Sequence, residues 1–181
     1  MTPLEKVWPH ATVLRNTAYY DVLYSRSGLF DICQSILSRA ANKNPANEDG
    51  TTPLHDAAIE GHLDIVRLFL ANVDEKNPED TESRETPLHF AARGGHLDIC
   101  REILVHLVDK NPDNGDGLTP LSYAVIEGHE DVCKLIVDSM VDSDIASVKD
   151  KLPLEQYLTM AEEKGHKEIV RYLNDMKLLI C

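Results

Sequence analysis

The residues with the greatest capacity for chemistry are eight histidines and four cysteines. His96 with Cys100, and His129 with Cys133, stand four residues apart, a spacing that places two metal ligands on one face of a helix. The same spacing after His62 leads to a valine, which cannot ligate a metal. We therefore interpret these histidines and cysteines as structural and predict no metal site.

Three of the four cysteines occupy the same place in the repeated pattern. Cys33, Cys100 and Cys133 each come five residues after a glycine, and Val66 and Val170 fill that place elsewhere. A place shared by cysteine and valine is typical of a buried core. We expect reduced thiols here, as in a cytosolic protein.

Motifs of catalysis are missing from the sequence. It contains no glycine-rich phosphate loop, no Gly-x-Ser-x-Gly elbow and no His-Glu-x-x-His. We predict no catalytic residue, no cofactor and no enzymatic activity.

The elements that hold these residues recur with a period of about 33 residues. A first motif recurs at three places: Thr52-Pro53-Leu54-His55, Thr86-Pro87-Leu88-His89 and Thr119-Pro120-Leu121-Ser122. A second motif begins with Gly-His at four places: Gly61-His62, Gly95-His96, Gly128-His129 and Gly165-His166. With a weaker copy at residues 28–33, five units are predicted.

Each unit is predicted to be two short antiparallel helices. Thr52 suits the cap of a first helix, Pro53 suits its first turn, and Gly61 suits its end. In the last unit Gly165 lies 12 residues after Pro153, whereas in the three units before it the glycine lies 8 residues after the proline. This spacing predicts a first helix that is longer by about one turn. Asp-Gly pairs between units predict hairpin tips, and the exit of the second helix is not predicted.

These motifs at this period resemble ankyrin repeats. The resemblance implies an all-α solenoid of about five helix-turn-helix units with hairpin tips. We expect an N-terminal capping segment at residues 1–16 and a repeat domain at 17–181, with units at roughly 17–49, 50–83, 84–116, 117–149 and 150–181.

The resemblance also implies a non-catalytic protein–protein interaction module that binds a partner on a concave face of tips and first helices. An aromatic and apolar stripe is expected along it, with Phe90 and Tyr123 in equivalent places. The candidate partner-binding residues are Thr51, Asp56, Ile59, Glu60, Arg84, Glu85, Phe90, Arg93, Leu118, Tyr123, Ile126 and Glu127.

The charge of −13 lies entirely in the middle of the chain. Residues 51–100 hold 10 acids and 4 bases, residues 101–150 hold 11 and 4, and the segments on either side are balanced. This excess disfavours nucleic acid and anionic membranes and favours a protein partner with a basic face. The acidic tip at residues 74–85 is one candidate contact for it.

Further expectations concern the chain as a whole. No apolar run is long enough to span a bilayer and no signal-peptide pattern is present, so we expect a cytoplasmic monomer, with a nuclear location left open. Two alternatives to a self-contained interaction module remain open. One is a repeat-only decoy or inhibitor resembling inhibitor-of-kappa-B proteins, and the other is a fragment of a larger scaffold protein.

Overall fold

The computed structural model describes residues 30, 33–34, 37–38, 42–141 and 152–180. Within these residues the regular structure is helical, and no strand is found there. The helices are α1 (Pro53–Ile59), α2 (Leu63–Asn72), α3 (Pro87–Arg93), α4 (Leu97–Leu104), α5 (Pro120–Glu127), α6 (Glu130–Val141), α7 (Leu154–Lys164) and α8 (Lys167–Ile180). They form four hairpins, in agreement with the predicted all-α solenoid. The predicted capping segment 1–16 and most of the first unit lie outside the described residues, and the unit boundaries stay predictions.

The helices form two layers. The first helices α1, α3, α5 and α7 pack side by side in chain order, and the second helices α2, α4, α6 and α8 do the same. Each first helix also packs against the second helix of its own hairpin. Since the helices of each unit pack, beyond their own hairpin, mainly against those of the neighbouring units, the stack is held together by the contacts between successive units.

Small residues let the two layers approach closely. Ala57, Ala58, Ala91, Ala92 and Ala124 are fully buried in the first helices. Larger apolar side chains from both layers, among them Leu54, Leu88, Ile103, Leu121, Ile136 and Leu173, fill the space around them. Side-chain packing of this kind is what holds short helices in place, because isolated helices of 7 or 8 residues are marginal in water.

The predicted ends of the first helices are confirmed. Gly61, Gly95, Gly128 and Gly165 have φ angles of 77°, 69°, 83° and 77°, the left-handed conformation that glycine adopts without a steric penalty. Helix α7 has 11 residues, whereas α1 and α3 have 7 and α5 has 8. The extra spacing before Gly165 therefore does lengthen the first helix of the last unit.

The hairpin tips are organised by side chains that accept hydrogen bonds from the main chain. Asn47 Oδ1 accepts from the N–H groups of Asp49 (3.0 Å) and Thr51 (2.8 Å). Asn114 Oδ1 accepts in the same way from Asp116 and Leu118, at 2.9 Å each. These side chains replace the partners that a strand ladder would supply to an exposed turn.

Successive tips are joined by main-chain hydrogen bonds. The N–H of Thr81 donates to the Asp49 carbonyl at 3.0 Å, and the N–H of Gly115 donates to the Ser83 carbonyl at 2.7 Å. The tips therefore keep the same register as the helices behind them.

A Lys-Asn-Pro sequence stabilises the exit of the second helix, which the sequence analysis left without a prediction. Lys110 Nζ donates to the carbonyls of Leu104 (2.7 Å) and Leu107 (2.6 Å), and Lys76 does the same for Leu70 and Val73. The following asparagines each accept from a main-chain N–H in the next first helix: Asn44 from Leu54 (3.3 Å), Asn77 from Leu88 (3.0 Å) and Asn111 from Leu121 (3.0 Å). The motif thus caps one helix and positions the next.

Candidate functional site

The Gly-His motif ties each unit to the one before it. The imidazole Nε2 of the histidine donates a hydrogen bond to a carbonyl at the C-terminal end of the preceding first helix. The three bonds join His96 to Ile59 (2.8 Å), His129 to Arg93 (3.1 Å) and His166 to Ile126 (3.0 Å). The acceptors Ile59, Arg93 and Ile126 are equivalent residues of three successive units, and we call them the inter-repeat row.

The Thr-Pro-Leu-His motif ties each unit to the one after it. His55 Nδ1 accepts from the N–H (3.1 Å) and the hydroxyl (2.9 Å) of Thr52, and its Nε2 donates to the Glu85 carbonyl at 3.2 Å. His89 repeats this arrangement with Thr86 and with the Leu118 carbonyl at 3.3 Å. Burial lowers the pKa of His55, and it lowers that of His89 to about 4, so both imidazoles are neutral near pH 7. These hydrogen bonds are the contacts that a structural role of the histidines predicts.

The structure places the candidate partner-binding residues in three groups of exposure. Glu60, Arg84 and Glu127 are exposed, and the half-buried group is Ile59, Arg93, Leu118, Tyr123 and Ile126. The buried group is Thr51, Asp56, Glu85 and Phe90, which are 4 to 8% exposed. The buried four offer little surface to a partner, and partner binding by any of the twelve stays a prediction.

Arg93 lies at the centre of a cluster that joins two units. Its guanidinium forms an ion pair with the buried Glu85 carboxylate and sits 4.3 Å from the centre of the Tyr123 ring and 5.4 Å from that of Phe90. The Tyr123 hydroxyl donates to Glu85, and Asn114 Nδ2 lies 3.4 Å from both partners. Burial, together with the Glu85 carboxylate, raises the pKa of the Tyr123 phenol.

This cluster changes the expected aromatic stripe. Phe90 packs edge-on against the His55 ring at 5.2 Å and is 8% exposed, while the Arg93 guanidinium lies over the Tyr123 ring. Tyr123 is half-buried, as are the three side chains of the inter-repeat row, in which one isoleucine stands on each side of the arginine. The repeat pattern predicts these residues as candidates but does not predict that Arg93 lies over the Tyr123 ring.

The tip between the second and third units differs from its neighbours in three ways. Arg84 stands where Gly50 and Gly117 stand in the adjacent tips, and it adopts a left-handed conformation with φ of 57°. Its guanidinium is held by Glu79, with Nε and Nη2 at 2.9 and 3.1 Å from the two carboxylate oxygens. Asp80 replaces the tip asparagine and accepts from the N–H (2.8 Å) and hydroxyl of Ser83. This tip is also one residue longer, because the Asp80 N–H donates to a carbonyl five residues on, whereas the Asn47 N–H donates to one four residues on.

The comparison with known families decides what this repeated architecture is. The chain matches the profile described as ankyrin repeats (3 copies) over residues 22–111, 72–150 and 102–178. It is an ankyrin-repeat protein. No curated protein matches the chain. Ankyrin repeats are in general modules of protein–protein interaction, and the family is typically non-catalytic.

The three cysteines that the structure describes in this ankyrin-repeat protein lie in its core. Cys33, Cys100 and Cys133 are buried and free, as the shared place with valine predicted. Burial raises their pKa values, to about 11 for Cys33 and about 12 for the other two, so the thiolate that would react or bind a metal is disfavoured. In the described part of the chain, no three side chains of His, Cys, Asp or Glu converge as a metal site would require.

A helix that spans a membrane must be both long enough and apolar enough. Within the described residues no helix meets both requirements, so no candidate span is present there.

Proposed function

We propose that this ankyrin-repeat protein binds a partner protein across its inter-repeat row, Ile59, Arg93 and Ile126, and the glutamates that follow it. The observation that carries the proposal is the row itself. One half-buried residue per unit stands in the same place. The main-chain carbonyl of each accepts a hydrogen bond from the imidazole of the next unit. A surface held this way is already ordered, so binding does not include the entropic cost of ordering it.

Charge supports a basic partner. Glu60 and Glu127 are exposed beside the row, and neither forms an ion pair with a described residue. The two central segments of the chain also hold the whole charge excess of −13. Complementary charge accelerates encounter and discriminates against partners of the wrong sign, so we expect binding to weaken as salt rises.

The composition of the row supports a protein rather than a small ligand. Isoleucine beside a partly exposed arginine gives apolar area and a planar donor group, and arginine is enriched among the residues that dominate protein interfaces. The row runs along the stack through three units, which suits an extended contact.

A comparative affinity enrichment tests this proposal. The bait is the full chain, compared with a double variant Ile59→Ser/Ile126→Ser and with a control Val105→Ser/Val108→Ser. The control removes two apolar side chains that are 69% and 98% exposed after α4, away from the row. Circular dichroism and urea unfolding confirm that all three baits fold.

We expect proteins that are captured by the full chain and by the control and are lost by the row variant. If the row variant captures the same proteins in the same amounts, the proposal is wrong.

A further inference from the structure

Each residue of the inter-repeat row is followed in the sequence by a residue whose charge differs from one unit to the next. Glu60 and Glu127 are exposed, and the equivalent residue between them is Gly94. The three lie 34 and 33 residues apart, one unit each. The surface beside the row is thus acidic in the second and fourth units and carries no charge in the third.

Gly94, which has no side chain, lies against the two groups that link the units. A Cβ atom at residue 94 would lie 2.6 and 2.7 Å from two atoms of the His96 ring and 3.1 Å from the Ile59 carbonyl oxygen. These are the two groups that form the inter-repeat bond. A side chain at residue 94 would therefore require the His96 ring to shift from the position it has here.

Arg93 sets the charge at this middle point. Its side chain is 35% exposed, its guanidinium is paired with the Glu85 carboxylate, and its position is fixed over the Tyr123 ring. A ligand that crosses the row at this unit meets a guanidinium, and the residue directly after it carries no carboxylate. The carboxylates of Glu60 and Glu127, which form no ion pair with a described residue, lie one unit to either side.

The distance between the two glutamates follows from helix packing. Neighbouring packed helices lie about 8–10 Å apart, so residues two units apart are separated by about 16–20 Å. An extended segment covers this distance in about five or six residues. A helix covers it in about eleven to thirteen.

Building on the proposed function, we infer that the partner segment carries two basic residues about 16–20 Å apart, one for Glu60 and one for Glu127, with an uncharged apolar residue between them facing Arg93. The apolar residue lies at Arg93, one unit away from Ile59 on one side and from Ile126 on the other. A segment that is basic along its whole length is disfavoured, because its central charge would approach the Arg93 guanidinium. Discrimination then comes from a repulsive element as well as from attractive ones.

A random peptide library tests the inference without knowledge of the natural partner. Peptides of about 16 residues are displayed and selected on the folded full chain, a length that spans the two units in either conformation. Selected peptides are synthesised and their affinities are measured at low and at physiological salt. We expect two basic residues at either of the two spacings, with an apolar residue between them.

Two sets of variants then separate the outcomes. Glu60→Gln/Glu127→Gln is expected to weaken the selected peptides about tenfold at low salt, whereas Glu162→Gln/Glu163→Gln, which removes two exposed charges on α7, leaves the affinity unchanged. Replacing the central apolar residue of the peptide with lysine is expected to weaken binding at least about threefold.

Peptides that lose affinity with Ile59→Ser/Ile126→Ser but not with Glu60→Gln/Glu127→Gln would overturn the inference and leave the proposed function standing. Equal or tighter binding of the peptide with central lysine would overturn it too. Peptides that respond to neither double variant would overturn both.

Discussion

The Tyr157 hydroxyl lies 3.0 Å from Thr119 Oγ1, across the boundary between the fourth and fifth units. The fourth unit has Ser122 where the second and third have histidine, and serine is too short to reach the next unit as His55 and His89 do. Tyr157, which is 2% exposed, reaches back from α7 instead and also accepts from Asn111 Nδ2 at 3.1 Å. The link that the serine cannot form is therefore made from the other side.

The first prediction concerns this substitute link. Tyr157→Phe removes a buried hydroxyl and leaves Thr119 and Asn111 without its hydrogen bonds. We expect the free energy of unfolding to fall by about 1–2 kcal/mol, measured by urea denaturation. The amides of α7 and α8 should lose more protection from hydrogen exchange than those of α1–α4, because only the last boundary is weakened.

Tyr172→Phe is the matched control. The Tyr172 hydroxyl is 3.3 Å from an exposed Asp138 carboxylate, and its loss should change stability by less than about 0.5 kcal/mol. Equal effects of the two substitutions would contradict the role assigned to Tyr157.

The second prediction is a loss of stability in mild acid. The pKa of His89 is lowered from its ordinary 6.5 to about 4, so as the pH falls below 6.5 the unfolded chain takes up a proton that the folded protein does not. The contribution of His89 is fully present above pH 6.5 and is lost progressively toward pH 4. Between pH 7.5 and 5.0 we expect a loss of about 2 kcal/mol from His89, with His55 acting in the same direction.

His89→Gln isolates this contribution. The variant should be less stable at pH 7.5 and should lose about 2 kcal/mol less than the parent on acidification to pH 5.0, as measured by urea unfolding at each pH. His106→Gln, at an exposed residue, should keep the parental pH dependence. An unchanged slope in His89→Gln would show that other groups cause the acid sensitivity.

The third prediction compares two glycines with the same backbone conformation. A Cβ at residue 95 would lie 2.6 Å from the His129 ring, whereas at residue 165 it would meet no described atom within 4 Å. Gly165→Ala should cost about 1–2 kcal/mol, the price of a left-handed alanine. Gly95→Ala should cost at least about 1 kcal/mol more, because His129 must move away from the Arg93 carbonyl. Equal costs in thermal or urea unfolding would argue against an energetic role for the histidine link.

The fourth prediction concerns the exit of the second helix. Lys110→Met keeps much of the side-chain length and removes the ammonium group that bonds two carbonyls at the end of α4. We expect a loss of about 1–2 kcal/mol. Lys164→Met removes an exposed lysine in the last turn of α7 and should change stability by less than about 0.5 kcal/mol. If Lys110→Met is as stable as the parent, the carbonyls are satisfied by water instead.

The fold was predictable where one unit contains the whole cause. Thr52 and Pro53 begin a helix and Gly61 ends it through local backbone preferences, and the longer spacing before Gly165 lengthens α7 for the same reason. The Lys-Asn-Pro sequence was visible three times, at Asn44, Asn77 and Asn111. Its effect was not predictable, because the acceptor and donor partners lie in two different helices.

The candidate surface was predictable only in part, because its exposure depends on contacts between units. Phe90 and Tyr123 occupy equivalent places, yet Phe90 is buried and Tyr123 is covered by Arg93. The Glu85 carboxylate, 8 residues before Arg93 in the same unit, holds the guanidinium that lies over the Tyr123 ring of the next unit. No periodicity within the sequence reports such a pairing. Tyr157 was missed similarly, since the loss of histidine at residue 122 gives no hint of which residue replaces it.

The histidine link requires only that each residue of the inter-repeat row offer its main-chain carbonyl as the acceptor. Every amino acid supplies that carbonyl, so the link makes no demand on the side chain at residue 59, 93 or 126. Isoleucine, arginine and isoleucine stand there with bond lengths of 2.8, 3.1 and 3.0 Å. Mutation can therefore change the side chains at these residues while the hydrogen bonds behind them stay intact, so the composition of this surface can evolve separately from the stability of the repeat stack.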